Sequence, residues 1–441
     1  QNLETYFKES ISWSKISSGS PAFRYFPSGF IYDVAGTSIF CDDPSLMFRA
    51  IGYCNSRVTK KFLEILSPTL NFEVGHVASL PIIPRAGSMT ISQRLIGKSK
   101  QDWDSCETSW DFNTFPLIDP EHRRSSIKAT YQNLRAHWQG MTLEMQRLEE
   151  ENNRIFIDAY GLQDELTPDV PLEEITLTCN PYYRYGNKKS DPELESLLLA
   201  DTMREFLSYA VGCMFGRYSL DRPGLILANQ GETADDYIKK VDLPKEEISF
   251  VPDEDNVLPI TEGEYFADDI VARFKKFLRV TFGDEYYEKN LAFIERALGK
   301  DIRKYFLSDF YSHHVRMYKK RPIYWLFSSP RKTFNALIYM HRYNPDTANT
   351  VLNEYLRPLI RKLEAEKKMI ETRKSSGRLS VREMAQAEKE LGVIMRQIRE
   401  LYDYEQNVLY PVAAKRMEID LDDGVKANYP KFGRALFQLQ L

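Results

Sequence analysis

Trp13-Ser14-Lys15-Ile16-Ser17-Ser18-Gly19, then Gly29-Phe30-Ile31-Tyr32-Asp33-Val34-Ala35-Gly36-Thr37-Ser38-Ile39-Phe40, then Pro68-Thr69-Leu70-Asn71-Phe72-Glu73-Val74-Gly75-His76-Val77-Ala78-Ser79-Leu80-Pro81 fall within one stretch, residues 13–84. Apolar and polar residues alternate there between glycine and proline breaks, the pattern of short strands and turns. Over residues 1–43 this predicts strands that include Phe23–Phe26 and Phe30–Val34, with turns at Ser18–Pro21, Pro27–Gly29 and Ala35-Gly36. Asp43-Pro44-Ser45 then opens a helix, because Leu46, Met47, Ala50, Ile51, Val58, Phe62, Ile65 and Leu66 fall near one face and Pro68 ends the run. A strand-like return, Leu70–Val74, and the pair Leu80-Pro81 complete a compact α/β unit.

Outward from this unit the pattern turns helical. Ile127, Tyr131, Leu134, Trp138, Met141, Met145 and Leu148 step at three and four residues, and Gly161 is a natural stop. Pro168–Gly186 reads as a proline-punctuated loop, and a further helix is predicted from Pro192 to Phe215. Residues 229–262 are acidic and read as exposed connections. Helices return at Asp268–Gly283 and Tyr286–Gly299, and Arg321–Tyr343 is rich in aromatics. Residues 350–412 carry two apolar stripes around Ser375-Ser376-Gly377-Arg378, which predicts an antiparallel helical hairpin. The tail from Asp422 is a turn followed by a docking segment. The expected class is α+β, a small mixed α/β domain followed by a mainly helical region. Its expected division is 1–118, 119–228, 229–345 and 346–441.

With 441 residues, 43% hydrophobic and 28% charged, the chain has the content of a globular protein with real cores. Its net charge of −4 gives no bulk attraction to nucleic acid, so any such binding must come from local cationic patches. No run of about 18 apolar residues is present to span a membrane. The five cysteines are scattered without Cys-x-x-Cys spacing, which fits reduced thiols in a cytoplasm. The start at Gln1, with no signal segment behind it, suggests a piece of a longer chain.

Catalytic strings are few. Asn180-Pro181-Tyr182-Tyr183 resembles the Asn-Pro-Pro-Tyr loop with which amino-methyltransferases grip a flipped adenine, but a tyrosine replaces the second proline. No glycine-rich turn for S-adenosylmethionine precedes it, so a packing turn is the better reading. His313 and His314 are adjacent, about 100° apart on a helix, and do not share a metal easily. Asp102, Asp104 and Glu107, with Trp103 and Trp110 among them, read as a structural clasp rather than a nuclease cluster. What remains is binding. Reading DNA takes paired donors and acceptors for base edges and cations for phosphates. Ser14, Lys15, Ser17, Ser18, Arg24 and Tyr25 supply these in the strand-and-turn region, Arg57, Lys60 and Lys61 on the helix, and Asn71 with Glu73 on the return.

Several motifs together resemble a known family. They are Trp13–Gly19, Gly52-Tyr53-Cys54-Asn55-Ser56-Arg57-Val58, Asn71–Pro81, Asp102-Trp103-Asp104-Ser105, Glu107–Phe112, Asn152-Asn153-Arg154 through Leu166, Tyr209–Tyr218, Arg321–Phe327 and Asp422–Lys426. They are similar to target-recognition domains of restriction-modification proteins, and as a set to the C-terminal part of the PglX family. These are the adenine-specific DNA methyltransferases of bacteriophage-exclusion (BREX) systems. The resemblance implies double-stranded DNA as partner and a bacterial cytoplasmic setting. It also implies S-adenosylmethionine as cofactor of the full-length parent, with none in this fragment, since no residue here matches the family's methyltransferase motifs. A second reading stays open, in which the chain mainly docks other BREX subunits or a phage inhibitor that mimics DNA.

Overall fold

A computed structural model of the chain describes residues 3–17, 21–376 and 379–439. By its internal contacts the chain forms two units, Gln1–Asp104 with Leu134–Leu198, and Ser105–Asn133 with Leu199–Leu441. The class is α+β, mainly helical, with two small antiparallel sheets.

In the first unit, strands β1 (Ser10–Ser14), β2 (Arg24–Phe26) and β3 (Gly36–Ile39) form a sheet in the order β2-β1-β3. Ile11 and Trp13 of β1 turn into the core, where Met47, Ile51, Leu63, Phe72 and Val77 meet them. The Trp13 indole also donates to the Phe72 carbonyl at 2.9 Å, so the ring's polar edge is satisfied where it is buried. The helix expected over 43–66 is two helices, α1 (Pro44–Cys54) and α2 (Arg57–Leu66). Asn55 ends the first while its side chain clamps the Phe23 backbone from both sides, 3.0 Å to N and 3.0 Å to O. Ser56 caps the second through Thr59 N.

Two expected strands are corrected. Phe30–Val34 is irregular, because Asp33 accepts from the amides of Ala35 (2.8 Å) and Gly36 (3.0 Å), a side-chain turn that delays the strand to Gly36. Leu70–Val74 makes only one bridge, Asn71 to Ile16, and the chain then enters helix α3 (Val74–Ala78). The Glu73 amide donates to His76 Nδ1 at 3.2 Å, and this local bond favours a helix start over a strand. Much of the turn expected at Ser18–Pro21 lies outside the described residues.

Helices α4 (Met89–Asp104) and α5 (Ile127–Tyr160), the short α6 (Pro181–Tyr185) and α7 (Asp191–Met214) follow. Gly161 ends α5 at φ 66°. Gly52 is a point of close approach, since a Cβ there would lie 2.8 Å from the Ser92 Oγ and 2.9 Å from the Asn152 Oδ1. The Asn152 amide donates to the Gly52 carbonyl at 2.9 Å.

The second unit holds α8 (Ala234–Val241), β4 (Val257–Pro259), α9 (Ile270–Phe282), α10 (Tyr287–Leu298), α11 (Ile302–Tyr305), α12 (Tyr311–Met317), β5 (Tyr324–Ser328), β6 (Asn335–Tyr339) and α13 (Thr347–Thr350). It also holds the hairpin helices α14 (Arg357–Ser375) and α15 (Val381–Tyr404). The sheet order is β4-β6-β5. Every residue of β5 and β6 is buried, and Leu356, Leu359, Ile360, Leu401 and Tyr404 of the helical region share their core. The expectation that 229–262 are exposed connections is corrected, since α8 and β4 lie there. Asp253 is buried, accepting from Val257 N at 3.1 Å while Arg342 donates to its carbonyl at 2.7 Å. Burial, with Asp255 beside it, pushes the Asp253 carboxyl up to about 7. The hairpin is present as expected. Ser380 and Glu383 form a capping box at the head of α15, and Arg373–Glu390 (2.8 Å) and Lys374–Glu388 (3.2 Å) tie its arms. Its turn residues Gly377 and Arg378 lie outside the described residues.

Candidate nucleic-acid interface

The residues singled out for DNA fall into two groups within the first unit. In one, the chain leaves β1 and runs antiparallel to 70–72. Phe72 N donates to Lys15 O at 2.7 Å and Ser17 N to Leu70 O at 3.0 Å, so Ser14, Lys15, Ser17, Asn71 and Glu73 come together. The Lys15 ammonium sits 3.1 Å from the Glu73 carboxylate, with both side chains substantially exposed. Ser18 lies outside the described residues.

The second group gathers on the segment 169–176. Arg24, on β2, donates to Thr176 Oγ1 at 2.9 Å. Arg57, at the head of α2, is braced from three sides. Its amide donates to Asn153 Oδ1 (2.9 Å), one guanidinium nitrogen donates to the Asp169 carbonyl (2.8 Å), and the other meets Glu174 at 3.1 Å. Lys60 approaches the same Glu174 at 3.9 Å. Glu149 completes the group electrostatically. Burial pushes its carboxyl up to about 7, against the pull of Arg24 and Arg57 and with a push from Glu174. Tyr25 packs on Phe48, ring centres 5.8 Å apart, and burial together with Glu9 raises its hydroxyl pKa. Lys61 pairs with Glu64 along α2 at 3.2 Å.

This arrangement ranks the cations chemically. Arg57 spends both ends of its fork on protein partners, so a bidentate grip on a guanine edge would require exchanging them. Arg24 is exposed, and its one described side-chain bond is to a neutral hydroxyl, so its fork is less committed to protein partners than that of Arg57. Glu149, Asp169, Glu174 and Thr176 carry no signal in the sequence for this role. They lie far along the chain from the cations they meet, and nothing local to either side marks the pairing.

The methyltransferase-like string is closed. Asn180 is fully buried and caps α6. Its amide donates to the carbonyls of Leu172 (2.7 Å) and Ile175 (2.9 Å), and its oxygen accepts from Tyr182 N at 3.2 Å. Both ends of that carboxamide are committed to the protein's own backbone, so it is not free to grip an adenine amino group, and the string does not fit a role beside S-adenosylmethionine. Asp102 is the clasp. It is buried and accepts from Thr178 N (2.6 Å), Thr178 Oγ1 (3.0 Å) and Cys179 N (3.0 Å). In the second unit Glu107 accepts from Ser208 Oγ (2.6 Å) and Tyr318 OH (3.0 Å). Trp103 and Trp110 are exposed and take no part in the clasp expected of them. Among the described residues, no helix is long and apolar enough to cross a membrane.

No family model matches the chain. Two curated relatives are similar across nearly all of it. The adenine-specific methyltransferase PglX of Lacticaseibacillus casei (strain Zhang) is 36% identical over 442 aligned positions, which cover 96% of this chain and 34% of that protein. The adenine-specific methyltransferase BrxX of Escherichia coli O9:H4 (strain HS) is 33% identical over 452, covering 99% of this chain and 37% of that protein. The chain thus spans about a third of the length of the relatives it matches. The resemblance carried by scattered motifs extends over nearly the whole sequence, and the chain is similar throughout to a part, about a third in length, of the adenine-specific methyltransferases PglX and BrxX.

Proposed function

We propose that this chain is the DNA-recognition part of an adenine-specific DNA methyltransferase of the BREX type. It selects sites on double-stranded DNA in the bacterial cytoplasm, while the methyl group is transferred from S-adenosylmethionine by regions of such a protein outside this sequence. The observation that carries this reading is the match to two adenine-specific methyltransferases over 96% and 99% of the chain. The two residue groups of the first unit give it a physical form. Arg24 and Lys15 supply phosphate charge, Ser14, Ser17, Asn71 and Glu73 offer donors and acceptors to base edges, and Arg57 and Lys60 hold the 169–176 segment in place.

The test is fluorescence anisotropy of the whole chain with duplexes that do and do not carry the cognate site. Tighter binding to the cognate duplex supports the reading. Equal affinity of the parent and the Lys15→Ala/Arg24→Ala variant would remove those two residues from the interface. A protein-docking role finds support in the hairpin, which exposes Met369 (70%), Val381 (90%) and Met395 (51%). Other subunits of the defence system, or an acidic mimic of DNA, are the partners such an arm would serve. Deleting Lys374–Ser380 then spares duplex binding and abolishes the docking.

A further inference from the structure

Helix α9 buries Ile270, Val271, Phe274, Phe277 and Leu278 in the second unit. Ala272, Lys275, Lys276 and Arg279 follow at steps of three, one and three, so they form one stripe on another face. The segment Glu264–Ala267 and Arg303 of α11 stand beside this stripe and close a groove of about 560 Å³. Ligand pockets run from roughly 300 to 1,000 Å³, so the groove is large enough for a small molecule or a short length of nucleic-acid backbone.

The groove's charge runs against that of the chain. Four cations line it, Lys275, Lys276, Arg279 and Arg303, against two carboxylates, Asp269 and Glu264. Asp269 is committed inward, with its side chain 1% exposed. It caps α9 through Val271 N at 2.9 Å and holds Arg303 at 2.9 Å. Glu264 is 77% exposed and reaches Lys275 only at 3.8 Å and Arg303 at 3.7 Å. Arg279 turns outward to Asp284 (2.6 Å) and covers the Tyr287 ring. Lys276 is exposed and forms no ion pair among the described residues. A concave wall with a surplus of ammonium groups and one loosely held carboxylate is suited to displacement of that carboxylate by a more highly charged anion. Lysines bind phosphate as point charges without demanding one fixed geometry.

We infer that this groove is a phosphate-binding site, with Lys275 and Lys276 as its principal ligands and Glu264 as the group displaced. Phosphate of this kind comes from two sources, the DNA backbone or a free nucleotide. The backbone assignment rests on the DNA-recognition reading given above, and it makes the second unit a contributor to duplex affinity.

The experiment uses the whole chain with two probes, a fluorescent duplex titrated across salt concentrations and inorganic pyrophosphate followed by calorimetry. Each is repeated with Lys275→Glu/Lys276→Glu and with Glu264→Gln. The charge reversal is expected to lower the salt slope of duplex binding by about two units, one for each phosphate left unneutralised. Glu264→Gln is expected to tighten binding of both probes, a gain that misfolding cannot imitate. If the duplex binds and neither variant changes it, the groove assignment falls while the DNA-recognition reading stands. If the duplex does not bind but pyrophosphate does, and follows the variants, the groove is a free-phosphate site and the DNA-recognition reading falls. If neither probe binds, both are overturned.

Discussion

The Arg57 guanidinium lies 3.1 Å from the Glu174 carboxylate, and Lys60 shares that carboxylate at 3.9 Å. Glu174 therefore neutralises part of the charge that this face of α2 would offer to DNA. Glu174→Gln is expected to tighten non-specific duplex binding and to steepen its salt slope by up to about one unit. Anisotropy titrations across salt read both effects, and an unchanged slope would place Arg57 and Lys60 outside the interface.

Asp102 accepts three hydrogen bonds from residues 178–179. Asp102→Ala leaves the buried Cys179 amide and the partly buried Thr178 amide without their acceptor and is expected to cost about 3 kcal/mol. Urea denaturation measures it, and a loss below about 1 kcal/mol would contradict the clasp.

Asn180→Ala removes a helix cap and the donors that satisfy two carbonyls, at an expected cost of about 2 kcal/mol. Calorimetry with S-adenosylmethionine is expected to show no binding for either the parent or the variant. Heat of binding that is lost in the variant would restore the catalytic reading of Asn180–Tyr183.

Glu149 titrates near 7 because burial penalises its charged form. Its pKa is raised on folding, so the stability it contributes is present below the ordinary glutamate range and is lost as pH rises through about 7. Glu149→Gln is expected to remove part of the fall in stability between pH 5 and 8, by at most about 3 kcal/mol. Asp253, raised in the same direction, retains its own share. Denaturation midpoints measured at several pH values test this, and parallel curves for parent and variant would refute it.

The long helices were legible from the spacing of their apolar residues, although α7 is buried all round from Phe206 to Met214. Residues 127–160, 191–214 and the hairpin arms carry apolar residues at steps of three and four, and their ends bear readable signals such as Gly161 and Ser380-x-x-Glu383. The second sheet was not legible. Tyr324–Ser328 and Asn335–Tyr339 are buried on both faces, so no alternation marks them as strands. Leu70–Val74 misled through β-branched and aromatic content, when the bond from the Glu73 amide to His76 decides for a helix. Asp253 was expected in solvent because it stands among acidic neighbours, yet the arginines that receive it come from α9 and from just beyond the end of β6. In the candidate interface the cations could be found by type and position. The partners Glu149, Asp169, Glu174 and Thr176 could not, because each of those pairings closes a long loop, unlike Lys61 with Glu64.

Each unit is assembled from two separate pieces of chain, with residues 105–133 of one inserted between the pieces of the other. A ribosome must therefore pass Leu198 before all of the first unit's pieces exist, and must reach the far end of the second before that one closes. Neither unit can finish folding in the order of synthesis. Asn152, which braces Gly52, arrives a hundred residues late. A chain stopped at residue 118 lacks that brace and the partners that Asn153 and Glu174 provide for Arg57. It would emerge with surfaces of α1 and α2 uncovered that residues 134–198 cover in the complete unit.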